Sequence, residues 1–551
     1  MRNILISSSS FLHETNESWD KISKSFNTEF SPHNKIFYSR REHFAEINMV
    51  FLADILDHFD NSKKNLTDSK KKIKHLINLI KKNIDKKTNN IICFSHYFFD
   101  DYFLNLKKKN FLDEVISFFI EVLYKLAKKY KNLFILDMDK IFASHGYTRC
   151  FSQRNYYLMS CRLSEDGLNI ITNEVEKILN KIISPTKKVL ILDCDNTIWG
   201  GVLGEDGIDK IQIGQDGIGK AFRDFQKVVK NLKNNGILIV LASKNEKKDV
   251  IKVVKEHKKM ILKDEDITSY KINWEEKSKN IYELSEELML GLDSFVFWDD
   301  NPIERNKVRS KLQMVEVIEP KQDVSEWPKQ LNEYVGFLNY NLSKDDSKKT
   351  FQYKQRSKFL EKKKLFNDEA KYLKSIKVKI SIEKLNTSNI DRAVQLTNKT
   401  NQFNFTTKRY THKDIYEINK NGRVLLVKLK DIYGDHGIIS LIIIKEQNNY
   451  LIVDTLLLSC RILGRYVENF LTDYLKKLAI RKKLKGTIFL FKKTEKNMPA
   501  LNFINSIEGL KKLNLDQIKK LNISKKIYRD KSYFLYLINN KEKIINSDLY
   551  V

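Results

Sequence analysis

Two aspartates bracket a cysteine directly after an apolar stretch. Residues 191–201 read ILDCDNTIWGG, so Asp193, Cys194 and Asp195 follow one another. A carboxylate at the end of a strand can attack phosphorus and form an aspartyl phosphate. Because carboxylate and phosphoryl oxygens repel each other, this chemistry needs a hard divalent cation such as Mg²⁺. The spacing predicts Asp193 as the nucleophile, with Asp195 on the same side of an extended chain as the acid/base group.

Other polar residues follow further apolar runs. GILIVLAS ends at Ser243, and SFVFWDD ends at Asp299 and Asp300. Because the carboxyl ends of parallel strands line one crevice, we expect these side chains to meet Asp193 there. Ser243 could bind phosphoryl oxygens, Lys277 could balance the charge of the nucleophile, and Asp299 could hold the metal. KMILK (259–263) is predicted to be a further strand of the same sheet.

A chain of 551 residues is too long for one hydrophobic core. Short apolar runs alternate with amphipathic helical segments over 1–183 and again over 186–335, which predicts a parallel α/β sheet in each. The segment 345–551 begins with a charged helix. It continues with a central antiparallel meander and a later helix, which is typical of an α+β domain. Pro185 marks a boundary between the first two segments.

The first domain has the strand-helix alternation of an SGNH-hydrolase-like fold. Ser7 to Ser10 follow the first strand, and DKIFASH offers Asp139 and His145. The sequence lacks a Gly-Asp-Ser motif, so we predict a non-hydrolytic domain that is either partner-binding or degenerate.

The motifs and their flanks together resemble one family. LDCDNTIWGGVLGEDG, LASKNE, INWEEKSKNI and FWDDNPIERNKVR resemble the FkbH-like subfamily of the haloacid dehalogenase (HAD) superfamily of phosphotransferases. Upstream, YYLMSCRLSEDGLNII resembles the family's approach to the HAD strand. Downstream, LTNKTNQFNFTTKRYT, YGDHGIIS and LLLSCRILGRYVENFL resemble its GNAT-like acyltransferase domain. The resemblance implies a multidomain α/β protein with SGNH-like, HAD-like and GNAT-like domains in that order.

The resemblance also implies roles for individual residues. Asp193 takes the position of nucleophile and metal ligand, and Asp195 is the acid/base group that also offers its backbone carbonyl to Mg²⁺. Ser243 and Lys277 take the second and third motif positions. Asp299 and Asp300 take the fourth position, as metal ligands. Thr197 takes the position of the threonine that supports the loop of the first motif.

Family members load a three-carbon acyl unit onto an acyl carrier protein. The resemblance therefore implies a phosphorylated three-carbon substrate such as 1,3-bisphosphoglycerate and, as partner, the phosphopantetheine thiol of a carrier protein. Cys194 is the candidate acyl carrier, since a thiolate can accept an acyl group and pass it to another thiol. In an extended strand, however, Cys194 points away from both aspartates, and nearby carboxylates raise a thiol pKa. Direct transfer to the carrier protein is the alternative.

RILGRYVE (461–468) resembles the pyrophosphate-binding turn of GNAT folds. This resemblance marks Arg461 and Gly464 as candidate contacts to a cofactor or to pantetheine. Tyr466 replaces the usual small residue and would crowd a cofactor, so a purely structural entry into the helix is the alternative.

Composition limits the remaining possibilities. The chain carries 99 basic and 70 acidic residues, for a formal net charge of +29. No nucleic-acid recognition motif accompanies this charge, and the longest apolar runs are strand-sized. We expect a cytoplasmic protein with neither a specific nucleic-acid partner nor a membrane partner. The alternatives are a stand-alone HAD phosphatase and a basic nucleic-acid-binding or scaffold protein.

Overall fold

The computed structural model describes residues 2–8, 12, 16–31, 46–52, 65–84, 88–95, 111–130, 132–183, 187–337, 349–365, 369–459, 462–521 and 533–541. The chain forms two compact units. One comprises Met1–Thr186 with Tyr334–Leu342, and the other comprises Lys187–Glu333 with Ser343–Val551. The second unit therefore includes both the strands that end in polar residues and the C-terminal sheet. The division into domains at 1–183, 186–335 and 345–551 stays a prediction.

The first unit contains a five-stranded parallel sheet in the order β2-β1-β3-β4-β5. Its strands are β1 (Arg2–Ser8), β2 (Phe26–Phe30), β3 (Ile47–Leu52), β4 (Asn89–Phe94) and β5 (Leu133–Asp137). The described helices of this unit are α1 (Asp20–Ser25), α2 (Leu66–Asn83), α3 (Phe111–Lys129), α4 (Met138–His145), α5 (Tyr147–Cys150), α6 (Gln153–Met159) and α7 (Glu165–Ile183).

The polar residues expected for an SGNH-like site are only partly described. Asp139 is buried and accepts a hydrogen bond from Ser95 Oγ at 2.7 Å. His145 is exposed, and its Nδ1 lies 3.0 Å from the Ile141 carbonyl of its own helix. Ser9 and Ser10 lie outside the described residues. The SGNH-like assignment stays a prediction.

The central sheet of the second unit is parallel, in the order β10-β9-β6-β7-β8. Its strands are β6 (Val189–Leu192), β7 (Leu238–Ser243), β8 (Ile267–Ile272), β9 (Phe295–Trp298) and β10 (Glu316–Val317). All residues of β6, β7 and β9 are buried, as expected for strands covered on both faces. The associated helices are α8 (Leu203–Asp206), α9 (Gly217–Asn234), α10 (Lys247–Glu256), α11 (Lys277–Leu288), α12 (Pro302–Lys311) and α13 (Trp327–Asn332).

The prediction of a strand at KMILK is wrong. This segment forms turns and irregular backbone, and the strand begins later, at Ile267. The buried Gln226 side chain accepts hydrogen bonds from the backbone N–H groups of Ile261 and Leu262 at 2.9 and 3.1 Å. Because a side-chain amide satisfies these groups, the segment does not need a neighbouring strand.

The C-terminal sheet has the order β11-β12-β13-β14-β15-β17-β16. Its strands are β11 (Lys379–Lys384), β12 (Arg423–Asp431), β13 (Gly434–Gln447), β14 (Tyr450–Leu458), β15 (Gly486–Lys492), β16 (Lys511–Lys512) and β17 (Tyr533–Asn539). The described helices of this part are α14 (Lys349–Leu365), α15 (Glu369–Ser375), α16 (Ile390–Lys399), α17 (His412–Asn421), α18 (Val467–Arg481), α19 (Met498–Ser506) and α20 (Leu515–Lys520). The predicted antiparallel meander is β12, β13 and β14.

Strands β14 and β15 are parallel neighbours only over Tyr450–Val453 and Gly486–Phe489. Beyond this point, Phe403 and Phe405 connect the two strands. The Leu458 N–H donates to the Phe403 carbonyl and the Phe405 N–H to the Leu456 carbonyl, at 2.9 and 3.0 Å. On the other side, the Lys492 N–H donates to the Phe405 carbonyl at 2.7 Å. A segment of the chain itself thus occupies the space between the two strands.

Helix α14 joins the central sheet to the C-terminal sheet. Tyr353 belongs to the hydrophobic cluster of the central sheet, and Phe359 belongs to that of the C-terminal sheet. Between them, Arg356 is only 1% exposed. It donates from Nε to the Glu287 carbonyl at 2.9 Å and from Nη1 to the Leu463 carbonyl at 3.0 Å.

Within the described residues, no helix has the length and apolar character needed to cross a bilayer.

We predict that Arg356→Met destabilises the second unit by about 2–4 kcal/mol, because two buried carbonyl groups lose a charged donor. Urea unfolding followed by tryptophan fluorescence measures this effect. Arg423→Met, at an exposed position, is the control and should change stability by less than about 0.5 kcal/mol. Equal stability of the two variants would contradict the role of Arg356.

Candidate active site

Three carboxylates gather at the carboxyl edge of the central sheet. Asp193 directly follows β6, and Asp299 and Asp300 follow β9, which is the neighbouring strand. Each of the three offers one oxygen, and these oxygens all lie within 4.8 Å of one another. The structure thus brings together the residues that were predicted to form the metal site, with the exception of Asp195.

Lys277 faces this cluster from the first residue of α11. Its Nζ lies 2.6 Å from Asp299 Oδ2 and 3.0 Å from Asp193 Oδ1, and the residue is only 4% exposed. Burial alone would lower the pKa of Lys277, but the Asp193 and Asp299 carboxylates raise it above its usual value. The side chain is therefore a fixed cation beside the predicted nucleophile.

The two carboxylates after β9 are held by their neighbours. Burial and the proximity of Asp193 raise the pKa of Asp299 to about 6, although Lys277 acts in the opposite direction. The same two causes raise the pKa of Asp300, whose Oδ1 accepts a hydrogen bond from Thr197 Oγ1 at 3.1 Å. Arg305 Nη1 donates to the backbone carbonyls of Asp299 and Asp300 at 2.8 and 2.7 Å. Thr197 thus contacts the loop that follows β9, and its role as the supporting threonine of the motif stays a prediction.

The cluster fits a divalent cation. Apart from its ion pair with Lys277, the buried Asp193 Oδ1 has no hydrogen-bond partner. Three carboxylates facing one ammonium leave an excess of negative charge, and carboxylate oxygens are the ligands that Mg²⁺ prefers. Asp193, Asp299 and Asp300 would hold the ion, which would offset the charge of phosphoryl oxygens when bound.

Asp195 lies outside this cluster, and both of its carboxylate oxygens are occupied. Oδ1 accepts hydrogen bonds from Trp199 Nε1 at 3.0 Å and from the Leu203 N–H at 3.1 Å. Oδ2 accepts one from Asn245 Nδ2 at 2.8 Å. The side chain of Asp195 is thus kept separate from the metal ligands, as an acid/base group requires. A contact between its backbone carbonyl and Mg²⁺ stays a prediction.

Ser243 is the last residue of β7 and is buried beside this network. Its Oγ accepts a hydrogen bond from Asn245 Nδ2 at 3.0 Å. Sequence reasoning missed Asn245, Trp199 and Arg305. Asn245 could have been found from its position two residues after Ser243, which places the two side chains on the same side if the chain stays extended.

Cys194 is fully buried, with 0% exposure. Burial raises the pKa of its thiol well above the usual value, and Asp193 and Asp195 raise it further. A hydrogen bond with Ser243 acts in the opposite direction. Burial and the two carboxylates thus disfavour the thiolate of Cys194, and the thiolate is the nucleophile in acyl transfer. This environment favours the alternative in which the acyl group passes directly to the carrier protein.

The predicted cofactor turn is only partly described, because Arg461 lies outside the described residues. Gly464 has a positive φ of +88°, and its carbonyl accepts a hydrogen bond from Lys363 Nζ at 3.4 Å. The Leu463 carbonyl accepts from Arg356, so two residues of α14 hold this turn. A carboxylate, that of Glu468, lies at the start of α18, where burial raises its pKa to about 7. A role of Gly464 in cofactor binding stays a prediction.

We predict that Mg²⁺ binds about tenfold more weakly at pH 5 than at pH 7. A pKa of about 6 means that Asp299 is mostly ionised at pH 7 and mostly protonated at pH 5, where protons compete with the metal. Isothermal titration calorimetry at several pH values measures this change. Asp299→Asn should bind Mg²⁺ weakly throughout and lose most of this pH dependence, whereas equal affinity of the wild type at pH 5 and pH 7 would contradict the assignment.

Comparison with known proteins supports part of this assignment. The chain is 28% identical to the N-terminal part of the protein BF1531 from Bacteroides fragilis, which contains a phosphatase domain and was crystallised in complex with Mg. The similarity covers 62% of this chain and 94% of that structure, with a TM-score of 0.54. No protein-family model and no curated protein matches the chain.

Two acetyltransferase structures are also similar to part of the chain. The GNAT-family acetyltransferase from Staphylococcus aureus Mu50 is 13% identical, with a TM-score of 0.23, and the similarity covers 30% of this chain and 100% of that one. The PaiA N-acetyltransferase from Thermoplasma acidophilum, in complex with coenzyme A, is 13% identical, with a TM-score of 0.22, and the similarity covers 29% of this chain and 99% of that one. These TM-scores are too low to assign the fold, so the GNAT-like character of the C-terminal sheet stays a prediction. The structure and the comparison with BF1531 together show a multidomain α/β protein with a phosphatase-like part.

Proposed function

We propose that this protein is a Mg²⁺-dependent HAD-type enzyme of the FkbH-like family. It dephosphorylates an acyl phosphate such as 1,3-bisphosphoglycerate and transfers the glyceryl group to the thiol of an acyl carrier protein. The observation that carries the phosphoryl chemistry is the convergence of Asp193, Asp299 and Asp300 around the Lys277 ammonium. The similarity to the BF1531 phosphatase domain supports it. The acyl substrate and the carrier protein rest on the sequence resemblance.

The substrate carries a phosphate ester in addition to its acyl phosphate. The ester phosphate is removed in two displacements. Asp193 attacks phosphorus, the bond between phosphorus and the ester oxygen breaks, and the leaving alkoxide takes a proton from Asp195. Water then attacks the aspartyl phosphate, gives a proton to Asp195 and releases inorganic phosphate. In both steps Lys277 and Ser243 would bind phosphoryl oxygens.

Acyl transfer is a separate displacement at carbon. The thiolate of the carrier protein attacks the carbonyl carbon of the acyl phosphate, the carbon–oxygen bond breaks, and phosphate leaves with the electron pair. A thioester remains on the carrier protein. Because Cys194 is fully buried in surroundings that disfavour its thiolate, we propose direct transfer without an acyl group on Cys194.

A stand-alone phosphatase is the second candidate. The burial of Cys194 is consistent with it as well as with direct transfer, because neither reaction uses the Cys194 thiol. The similarity to the BF1531 phosphatase domain is equally consistent with this function.

We predict that Asp193→Asn lowers the release of phosphate from the ester group at least about a thousandfold, because the amide cannot attack phosphorus. The phosphate that the carrier thiolate displaces from the acyl group is released without Asp193. The assay incubates enzyme, Mg²⁺, 1,3-bisphosphoglycerate and an acyl carrier protein. It follows phosphate colorimetrically and the carrier protein by intact-protein mass spectrometry. A glyceryl adduct on the carrier protein supports acyl transfer. Phosphate release with an unmodified carrier protein would support the stand-alone phosphatase. Full activity of Asp193→Asn would contradict both candidate functions.

We predict that Cys194→Ala keeps phosphate release and carrier loading within about threefold of the wild type, because direct transfer does not use this thiol. The same assay measures both rates, and mass spectrometry of the enzyme itself tests for an acyl adduct. A glyceryl adduct on the wild-type enzyme that is lost in Cys194→Ala, together with loss of carrier loading, would instead make Cys194 the acyl carrier.

A further inference from the structure

We infer that Asn245 is a positioning residue for the phosphoryl transfer step. One amide group of this residue holds the acid/base carboxylate of Asp195 and the hydroxyl of Ser243 in a single arrangement. The inference rests on the proposed phosphoryl chemistry, in which Asp195 donates a proton to the leaving group.

The contacts of Asn245 use its full capacity as a donor. Nδ2 carries two hydrogens and lies 2.8 Å from Asp195 Oδ2 and 3.0 Å from Ser243 Oγ. Asn245 and Ser243 are both buried, so water has little access to replace these bonds. Ser243 accepts the hydrogen bond from Asn245 and is also hydrogen-bonded to Cys194, so its hydroxyl is fixed from two sides.

The opposite side of the Asp195 carboxylate is already fixed. Trp199 Nε1 and the Leu203 N–H both donate to Oδ1, and the Trp199 ring is fully buried. The terminal torsion of an aspartate is broad, so contacts to one oxygen leave the other free to move around it. The Asn245 amide holds that second oxygen, and thereby sets the direction in which Asp195 presents a proton.

Aspartate and serine, two side chains of similar or smaller size, do not meet these requirements. Aspartate has the same shape but offers only acceptors, and it would add a negative charge beside Asp195. Serine offers one hydroxyl hydrogen, which cannot be donated to Asp195 and Ser243 together. An asparagine at position 245 is therefore matched to this pair of acceptors.

The test compares two phosphate esters with different leaving groups, in the presence of Mg²⁺. Protonation by Asp195 is essential when glycerol 3-phosphate expels an alkoxide, and far less so when p-nitrophenyl phosphate expels a stable phenolate. We expect Asn245→Ala and the isosteric Asn245→Asp to lower kcat about a hundredfold for glycerol 3-phosphate. For p-nitrophenyl phosphate we expect a loss of tenfold or less, and for KM a change below about threefold for both esters.

Two further variants give the reference patterns. Asp195→Asn should show the same selective loss on the alkyl ester, because it removes the proton donor itself. Asn280→Ala removes another buried amide of the same domain, whose Nδ2 donates to Asn273 Oδ1 at 2.8 Å. Any decrease in kcat in this variant should be equal for the two esters. Thermal unfolding of every variant shows whether the fold is kept.

Three outcomes would overturn the inference. If the wild type hydrolyses neither ester, the proposed phosphoryl chemistry fails and the inference fails with it. If the wild type is active but kcat of the folded Asn245 variants falls to the same extent for both esters, Asn245 has only a structural role. Unchanged kinetics in both folded variants would also exclude a positioning role, while the proposed function would stand.

Discussion

Three carboxylates lie within 4.8 Å of one another, and the ammonium of Lys277 contacts two of them. Mutual repulsion would separate such groups, so this charge balance governs the arrangement around it. The parallel pairing of Leu192 with Trp298 places Asp193 beside Asp299, and α11 begins at the residue that supplies the cation. One ammonium cannot neutralise three carboxylates, and the excess charge is what makes the edge of this sheet suitable for Mg²⁺.

Polar residues at strand ends were predictable from sequence, because apolar runs mark the strands and parallel strands share a carboxyl edge. The hydrogen bonds of Asp195 could not be predicted from the sequence, because its partner Asn245 lies in a loop whose path depends on packing. The strand prediction at 259–263 failed for a related reason: the distant Gln226 side chain satisfies that backbone. Alternation of residue types indicates which segments are buried, but it does not show which long-range hydrogen bonds replace a strand partner.

The C-terminal sheet is connected to the site through helix α14. Arg356 binds the end of α11, the helix that begins at Lys277, and also the turn at Leu463. The same helix supplies Lys363 to the Gly464 carbonyl. In addition, the segment around Phe405 occupies the space between β14 and β15. The contacts of Arg356 connect the turn at Leu463 to the helix that begins at Lys277, and so to the candidate site.

The most direct test of the central claim is a crystal structure of the protein with Mg²⁺ and beryllium trifluoride, which mimics a phosphoryl group on a carboxylate. We expect the trifluoride on an Asp193 carboxylate oxygen, near Lys277 and Ser243, with Mg²⁺ bound by Asp193 and at least one of Asp299 and Asp300. Trifluoride on another residue, or a metal ion bound away from this cluster, would contradict the assignment of Asp193 as the nucleophile.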